Sequence, residues 1–407
     1  MKILQVNKFY YPRGGADKYF LWLSEALEKA GHQVAVFSMD HPKNIKTSWS
    51  SYFVSRISFN EGGFKNKLKT PGRVIYSFAT KKKFNRLIKD FKPDIIHIHN
   101  IYHHLSPSIL DVAAKHKIPV VMHLHDYKLI SPDYNLLDNN ISESGKINIK
   151  KYYRYLFGKA VKNSRLATGL AVLEMYLHHS VLKIYRRNIS ILIAPSRFMK
   201  EAVIAAGWPE NKIKIVYNPY SPDLKARDLS DKQAAKNYLL YFGRLNFEKG
   251  IATLLEAAAI TKEKVMITGI GPEEKKLKEL AKKLGVKAEF TGFKSGTELS
   301  AIIQGAKAVV IPSIWPENMP LSLLEAMNLG KIIIASRIGG LPEMIEDEKT
   351  GLLFKPGDAN DLARQIKNLS YKNQTEIIRT VIEKVKKLTP NNNLNQIIEI
   401  YKYVLGL

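Results

Sequence analysis

The segment from Ala308 to Gly340, AVVIPSIWPENMPLSLLEAMNLGKIIIASRIGG, restricts the fold more than any other. It opens with an apolar run ending at Pro312 and Ser313. It closes with a second apolar run, Ile332 to Ser336, followed by Gly339 and Gly340. Helix punctuation lies between them: Asn318 fits an N-cap, Pro320 a first turn and Gly330 a C-terminal stop. Strands apolar on both faces are buried on both faces, as in parallel sheets covered by helices. Ligands of such sheets collect at the carboxyl ends of the strands. Glu317, Asn318 and the helix N-terminus are therefore expected at a site mouth, where free N–H groups favour anions. Glu325 follows Glu317 by eight residues, a turn or two into the helix. For an isolated pair of this kind, a solvated Glu317 and a Glu325 on an exposed helix face would be the better account.

The same alternation runs along the whole chain. Lys2–Asn7 reads as a strand, PRGGAD as a loop, Gly15–Ala30 as a helix stopped by Gly31, and Gln33–Ser38 as the next strand. Further strands are expected at Ile95–His99, Pro119–His125, Ile189–Ala194 and Lys214–Asn218, with helices at Arg73–Phe91, Ser106–His116 and Arg197–Ala206. Pro42–Pro71 shows no usable period. Lys128–Lys150 reads as a loop and Lys151–Arg187 as one or two basic amphipathic helices. Tyr220–Lys236 is polar and aperiodic, as linkers are. Beyond it the alternation restarts, with strands at Tyr238–Gly243, Lys264–Gly269, Ala288–Phe293, Ala308–Ser313, Ile332–Ser336 and Gly351–Phe354. A chain of 407 residues suits two domains. The expected division is 1–218, a linker at 219–236, and 237–389, with a last helix at about 390–407.

Composition removes several classes. There is no cysteine, hence no disulfide, thiolate metal site or Cys nucleophile. The first residues lack the apolar core of a secretory signal, and no stretch reaches the roughly 18 apolar residues of a spanning helix. The net charge is +26. Residues 1–218 hold 35 Lys/Arg against 15 Asp/Glu, and the remainder 28 against 22. An anionic membrane surface, nucleic acid or acidic small substrates would each match the basic first half, as would a merely solubilising face. No nucleic-acid motif accompanies the charge.

Several strand ends carry chemistry. Gly243-Arg244-Leu245 and Lys249-Gly250 end one strand and open a helix, offering a guanidinium fork and an ammonium beside a glycine turn. Gly269 to Gly271 forms a second turn, and Phe293 follows a third strand. Arg13, Gly14 and Gly15 lie between the first strand and helix. They are not the G-x-G-x-x-G of dinucleotide sites, which weakens a dehydrogenase reading. His123 and His125 share one strand face, and Asp126 follows. Such i, i+2 pairs, with His97 and His99, can chelate a metal. Ser196 reads as a helix cap.

Together P-S-x-W-x-E-N-x-P-L-S-L-L-E-A-M-x-x-G and G-R-L-x3-K-G resemble the retaining glycosyltransferases of family 4 (glycosyl transferases group 1). The resemblance implies an α/β GT-B architecture, two facing Rossmann-like parallel-sheet domains with an interdomain cleft, the last helix crossing back to the first domain. It implies a nucleoside-diphosphate sugar, UDP- or GDP-linked, as co-substrate, with no cofactor required and no metal, in keeping with the lack of a D-x-D motif. Arg244 and Lys249 then bind the diphosphate and Glu325 the ribose. Glu317 either binds sugar hydroxyls or stabilises charge at the anomeric carbon, and His125 contacts the transferred sugar. Gly14, Gly15, Gly243, Gly271, Phe293, Asn318, Met319, Pro320 and Leu321 complete the donor side. Asn100, His103 and Asp126 fall on the acceptor side. The partners implied are a nucleotide sugar and a saccharide or lipid-linked acceptor, without nucleic acid, and the basic first half adds an anionic membrane surface. The place implied is the cytoplasm, peripheral on the inner membrane face. A GT-B epimerase or hydrolase of nucleotide sugars, or a basic polyanion-binding protein, stands as the alternative.

Overall fold

A computed structural model describes residues 1–56, 72, 75–136, 152–156, 161, 164–221, 237–369 and 374–407. The chain forms two compact units, Met1–Val216 with Leu394–Leu407, and Tyr217–Asn393. The expected linker falls almost wholly outside the described residues. The second unit begins earlier than expected because Tyr217 and Asn218 already bond within it: the Tyr217 hydroxyl donates to Glu343 at 3.1 Å, and the Asn218 side-chain amide to the Met319 carbonyl at 3.0 Å.

The first unit is a sheet of six parallel strands: β1 (Lys2–Val6), β2 (Gln33–Phe37), β3 (Ile95–Ile98), β4 (Val120–His123), β5 (Ile191–Ala194) and β6 (Ile213–Ile215). Their order is β2-β1-β3-β4-β5-β6. Helix Gly15–Lys29 buries Tyr19, Phe20, Leu23 and Leu27 against the sheet, the face its periodicity specifies. Helix Phe78–Phe91 starts five residues later than expected, where the Ser77 hydroxyl accepts from the Thr80 amide. Ser196 caps helix Arg197–Ala205 in the same way, bonding the Met199 amide at 3.0 Å. Within Lys151–Arg187 the described residues form a 3-10 turn (Tyr152–Tyr155), helix Arg165–Tyr176, a π turn (Leu177–Val181) and a short helix (Ile184–Asn188). The last helix, Pro390–Leu405, buries Ile397, Ile400 and Tyr401 among Ile3, Tyr19, Leu23 and Ile95 of this unit.

The second unit repeats the plan with β7 (Leu239–Phe242), β8 (Val265–Thr268), β9 (Ala288–Gly292), β10 (Ala308–Ile311), β11 (Ile333–Ser336) and β12 (Leu352–Phe354). All pairs are parallel, in the order β12-β11-β10-β7-β8-β9. Leu239, Leu240, Val309, Val310, Ile333 and Ile334 are at most 1% exposed, so both faces of the central strands are covered. Truncating such a leucine or isoleucine to alanine costs about 2–5 kcal/mol. One expectation fails at helix Leu321–Asn328: its N-cap is Pro320, in extended conformation, and not Asn318. Asn318 thereby lies two residues outside the helix, its side chain released from capping.

Candidate active site

In the second unit the chain winds β7–β8–β9 in one direction and β10–β11–β12 in the other. The loops leaving β7 and β10 diverge there, which opens a crevice at the strand ends. Two motifs occupy it: Gly243–Gly250 after β7 and Pro312–Pro320 after β10. Their backbones touch, the Ile314 amide donating to the Glu248 carbonyl at 3.0 Å. Gly250 stands where a Cβ would overlap the Pro312 carbonyl, at a φ of +64°. Only glycine permits both.

Glu317 is the best-held side chain of the crevice. Its Oε1 accepts from the Lys249 ammonium at 2.6 Å and from the Ser313 hydroxyl at 2.6 Å. Its side chain is 5% exposed and that of Lys249 14%. The Lys249 ammonium also lies 4.9 Å from the Trp315 ring centroid, a cation–π contact. The backbone of Glu317 is pinned too, since its carbonyl accepts from the Gly340 amide at 2.6 Å. A Cβ at Gly339 would come within 2.6 Å of the Glu317 nitrogen, and closer still to its carbonyl oxygen. Beside it, Asn318 is buried, yet neither Oδ1 nor Nδ2 has a hydrogen-bond partner among the described residues. A buried amide with four unused hydrogen-bond positions is costly unless something else meets it. Arg244 is exposed at the same strand end, its carbonyl held by the Tyr241 hydroxyl at 2.7 Å. Glu325 is buried on helix Leu321–Asn328.

The strand order of the first unit switches between β1 and β3. Asn7 after β1 and Asn100 after β3 tie these ends together: the Asn100 amide donates to Asn7 Oδ1 at 3.1 Å, and Asn7 Nδ2 donates to Asp17 Oδ1 at 2.9 Å. His125 follows β4, with Nε2 2.8 Å from His99 Nδ1. Burial, with a smaller effect from Lys8, pushes the His125 imidazole down to about 3, so it is neutral near pH 7. Asp126 Oδ1 accepts from the Lys128 amide, and burial raises this carboxyl. His103 has a φ of +66° and Nδ1 3.8 Å from Glu174, and burial lowers its imidazole to about 4. Glu174 is itself buried and paired with the equally buried Lys128 at 3.0 Å.

His97, His99 and His123 form a group of possible metal ligands whose nitrogens lie within 4.8 Å of one another. Their donor geometry does not suit a tetrahedral ion. The three rings are near parallel, with interplanar angles of 24°, 19° and 11°. Lone pairs lie in the ring plane, so those of stacked rings run side by side and do not converge on a point about 2 Å from each nitrogen. Both nitrogens of His99 are also engaged, one with His125 and the other with Gln5 at 2.9 Å.

A family profile described as Glycosyltransferase Family 4 matches residues 13–224, half of the chain. A second, Glycosyl transferases group 1, matches residues 224–388. The chain belongs to glycosyltransferase family 4. Among its relatives is an "uncharacterized 42.6 kDa protein in cps region" of Klebsiella pneumoniae, 27% identical over 397 residues, covering 91% of this chain and 97% of that protein. Another is the amylovoran biosynthesis glycosyltransferase AmsK of Erwinia amylovora, 27% identical over 212 residues, covering 49% and 52%. Among solved structures, Anabaena HepE in complex with UDP and glucose superposes with a TM-score of 0.68 at 20% identity, covering 99% of this chain and 100% of that one. These likenesses and the two six-stranded parallel sheets make the fold of this glycosyltransferase GT-B.

The glycosyltransferase brings together Gly243, Arg244, Lys249, Glu317, Asn318, Met319, Pro320 and Leu321 on two adjoining loops and the start of the following helix. Other expected site residues fall differently. Phe293 is 62% exposed after β9 and takes no part in the core. Gly271 packs against the Leu245 backbone, which gives it a structural reason to be glycine. Gly14 is extended at a φ of −157°, a conformation open to any residue, and Gly15 is the first residue of its helix. Sequence reasoning gave no role to Ser313, Trp315, Gly339 or Gly340, although all four lie inside the quoted stretch. Ser313, Gly339 and Gly340 hold Glu317, and Trp315 holds the Lys249 ammonium that pairs with it. Lys128 and Glu174 were missed because each is the other's partner and they are remote in the chain, and Asn7 because its tie to Asn100 spans 93 residues.

Proposed function

We propose that this glycosyltransferase moves a hexosyl group from a nucleoside-diphosphate sugar, UDP- or GDP-linked, to a hydroxyl of a saccharide or lipid-linked acceptor, with retention of configuration. The observation that carries the reading is the Arg244–Lys249–Glu317–Asn318 constellation at the switch point of the second unit. Two cations on one loop suit a diphosphate leaving group, and preorganised charge of that kind lowers the barrier to its departure. Asn318 offers unused donors and an acceptor to the sugar or phosphate. Glu317 faces the transferred sugar, through hydroxyls or through charge at its anomeric carbon, and Glu325 takes the ribose. The anomeric carbon–phosphate bond breaks as the bond to the acceptor oxygen forms on the same face. The acceptor proton passes to the leaving phosphate oxygen. Neutral His125 in the first unit contacts the transferred sugar, and Asn100, His103 and Asp126 serve the acceptor.

No metal or bound cofactor enters this chemistry. The polysaccharide-biosynthesis relative supports a saccharide or lipid-linked acceptor. The basic first half supports a place in the cytoplasm, peripheral on the inner membrane face. The test is a thermal-stabilisation screen with UDP-, GDP- and ADP-sugars. Nucleotide release is then measured with and without acceptors, in EDTA, and product anomers are assigned by NMR. Stabilisation by one nucleotide sugar, acceptor-dependent release and a retained anomer are expected, and Arg244→Ala should abolish transfer in a folded protein. Donor consumption that ignores acceptor would make the protein an epimerase or hydrolase instead.

A further inference from the structure

Among the described residues sixteen large apolar side chains are exposed, and eight of them fall between Tyr153 and Leu182. Helix Arg165–Tyr176 explains the concentration. Its inner face buries Thr168, Ala171, Val172 and Met175. Its outer face carries Leu166, Leu170 and Leu173 at i, i+4 and i+7, with Tyr176 beside them, each 47–76% exposed. A helix apolar on both faces belongs in an interior. This one is apolar on both faces with one of them in water. The 3-10 turn Tyr152–Tyr155 lies alongside, its Tyr152 hydroxyl hydrogen-bonded to Ser180, and adds the exposed Tyr153 and Leu156 to the patch.

The charge along this segment of the sequence is almost all of one sign. From Lys150 to Arg187 the sequence holds nine Lys/Arg and a single acid, Glu174. That acid is buried and paired with Lys128. Arg154, Arg165, Lys183, Arg186 and Arg187 are exposed. An apolar face with a mainly cationic border matches the boundary of an anionic bilayer, where leucines enter the acyl region and basic side chains meet headgroup phosphates.

We infer that the outer face of helix Arg165–Tyr176 seats this protein on an anionic lipid bilayer, with Leu166, Leu170 and Leu173 inserted in its surface. The inference rests on the lipid-linked reading of the acceptor and gives that reading a location. Docking at this face keeps the first unit at the surface where the lipid end of such an acceptor lies. No helix of the described residues is long and apolar enough to cross a membrane, so the contact is interfacial.

The test uses the full chain and vesicles of phosphatidylcholine, alone or with about 30% phosphatidylglycerol. Sedimentation should recover the protein with the anionic vesicles only, less so at roughly 0.5 M salt, where screening is strong. The double substitution Leu170→Glu, Leu173→Glu should reduce that binding at least about tenfold. Nucleotide-sugar stabilisation and transfer to a soluble acceptor should stay unchanged in the same protein, which separates this inference from the proposed reaction. Leu170→Trp should show a blue-shifted emission, quenched by brominated lipid, only with anionic vesicles. Three results would overturn the inference: no vesicle binding by the wild type, binding indifferent to the glutamates, or a dimer in light scattering that they dissolve. The last would assign the face to a second copy of the chain.

Discussion

Removing one partner of the Lys249–Glu317 pair tests how the crevice is held. Lys249→Met deletes the ammonium 2.6 Å from Glu317 Oε1 and leaves the carboxylate, with a side chain 5% exposed, on the Ser313 hydroxyl alone. Breaking a buried pair from one side costs about 3–5 kcal/mol, because the remaining charge stays buried without its counter-charge. For a unit of this size each kcal/mol moves the midpoint by about 2–4 °C, so a loss of roughly 6–20 °C is expected for the second unit. The double variant Lys249→Met, Glu317→Gln removes the stranded charge as well. Its amide keeps an acceptor for Ser313, so most of the lost stability should return. Activity should not return, since the diphosphate has lost a cation and the sugar its carboxylate. Scanning calorimetry on wild type, both single variants and the double variant gives the coupling energy directly. Nucleotide release with the preferred donor gives the activity arm. A Lys249→Met protein destabilised by less than about 1 kcal/mol would show that the pair behaves as a solvated surface contact. A double variant no more stable than Lys249→Met would refute the buried-charge account, whatever the activity.

Gly339→Ala should displace the Glu317 backbone by roughly half an ångström and lower kcat by about 10–100-fold, since misplacement of about 1 Å costs that order. The control is Gly285→Ala, also at positive φ but with nothing near its Cβ, which should lose only stability; equal kinetics in the two variants would deny Glu317 a positioning role. Asn318→Ala should leave the melting temperature unchanged or raised, because its buried amide lacks a protein partner. The same variant should weaken nucleotide-sugar binding by about tenfold or more in titration calorimetry, the worth of a lost hydrogen bond. Acidification from pH 7 to pH 5 should act mainly on the first unit, which holds all eleven histidines of the chain. Burial holds His97 and His125 at about 3 and His99 and His123 well below their ordinary value, so the unfolded chain takes up protons first. Stability is then complete above the unfolded value of about 6.5 and falls below it, by roughly 4 kcal/mol at pH 5 from His97 and His125 together. Calorimetry at pH 5 and 7 reads this as a drop in the first-unit transition, and a flat transition would contradict it.

The strands were legible because parallel strands covered on both faces leave unbroken apolar runs. β10 and β11 follow the quoted runs to within a residue or two. Lys249 and Glu317 were legible as members of two contiguous motifs, but their contact spans 68 residues and appears in neither motif. Asn318 misled as a helix cap because Asn before an apolar period is the ordinary signature of one. Pro320 takes the cap and frees the amide for the crevice. Periodicity could not locate the π turn at Leu177–Val181, since a single wide turn adds no residue type that marks it. Glu174 interrupts the apolar residues of its helix, and only the fold reveals the buried lysine that accounts for it.

The placement of Tyr401 has a consequence for how the molecule is made. Its hydroxyl lies 2.6 Å from His97 Nδ1 and accepts from Gln5, a residue 396 positions earlier. The first unit therefore cannot close its core while the chain is still being synthesised, although its six strands are translated first. At about 5–20 residues per second the ribosome needs roughly 10–35 s to deliver the last helix after Val216. The second unit, drawn from one continuous segment, has no such wait. The part of the protein born first finishes last, and a fragment ending at Val216 would leave Ile3, Tyr19, His97 and Gln5 facing water where Ile397, Ile400 and Tyr401 belong.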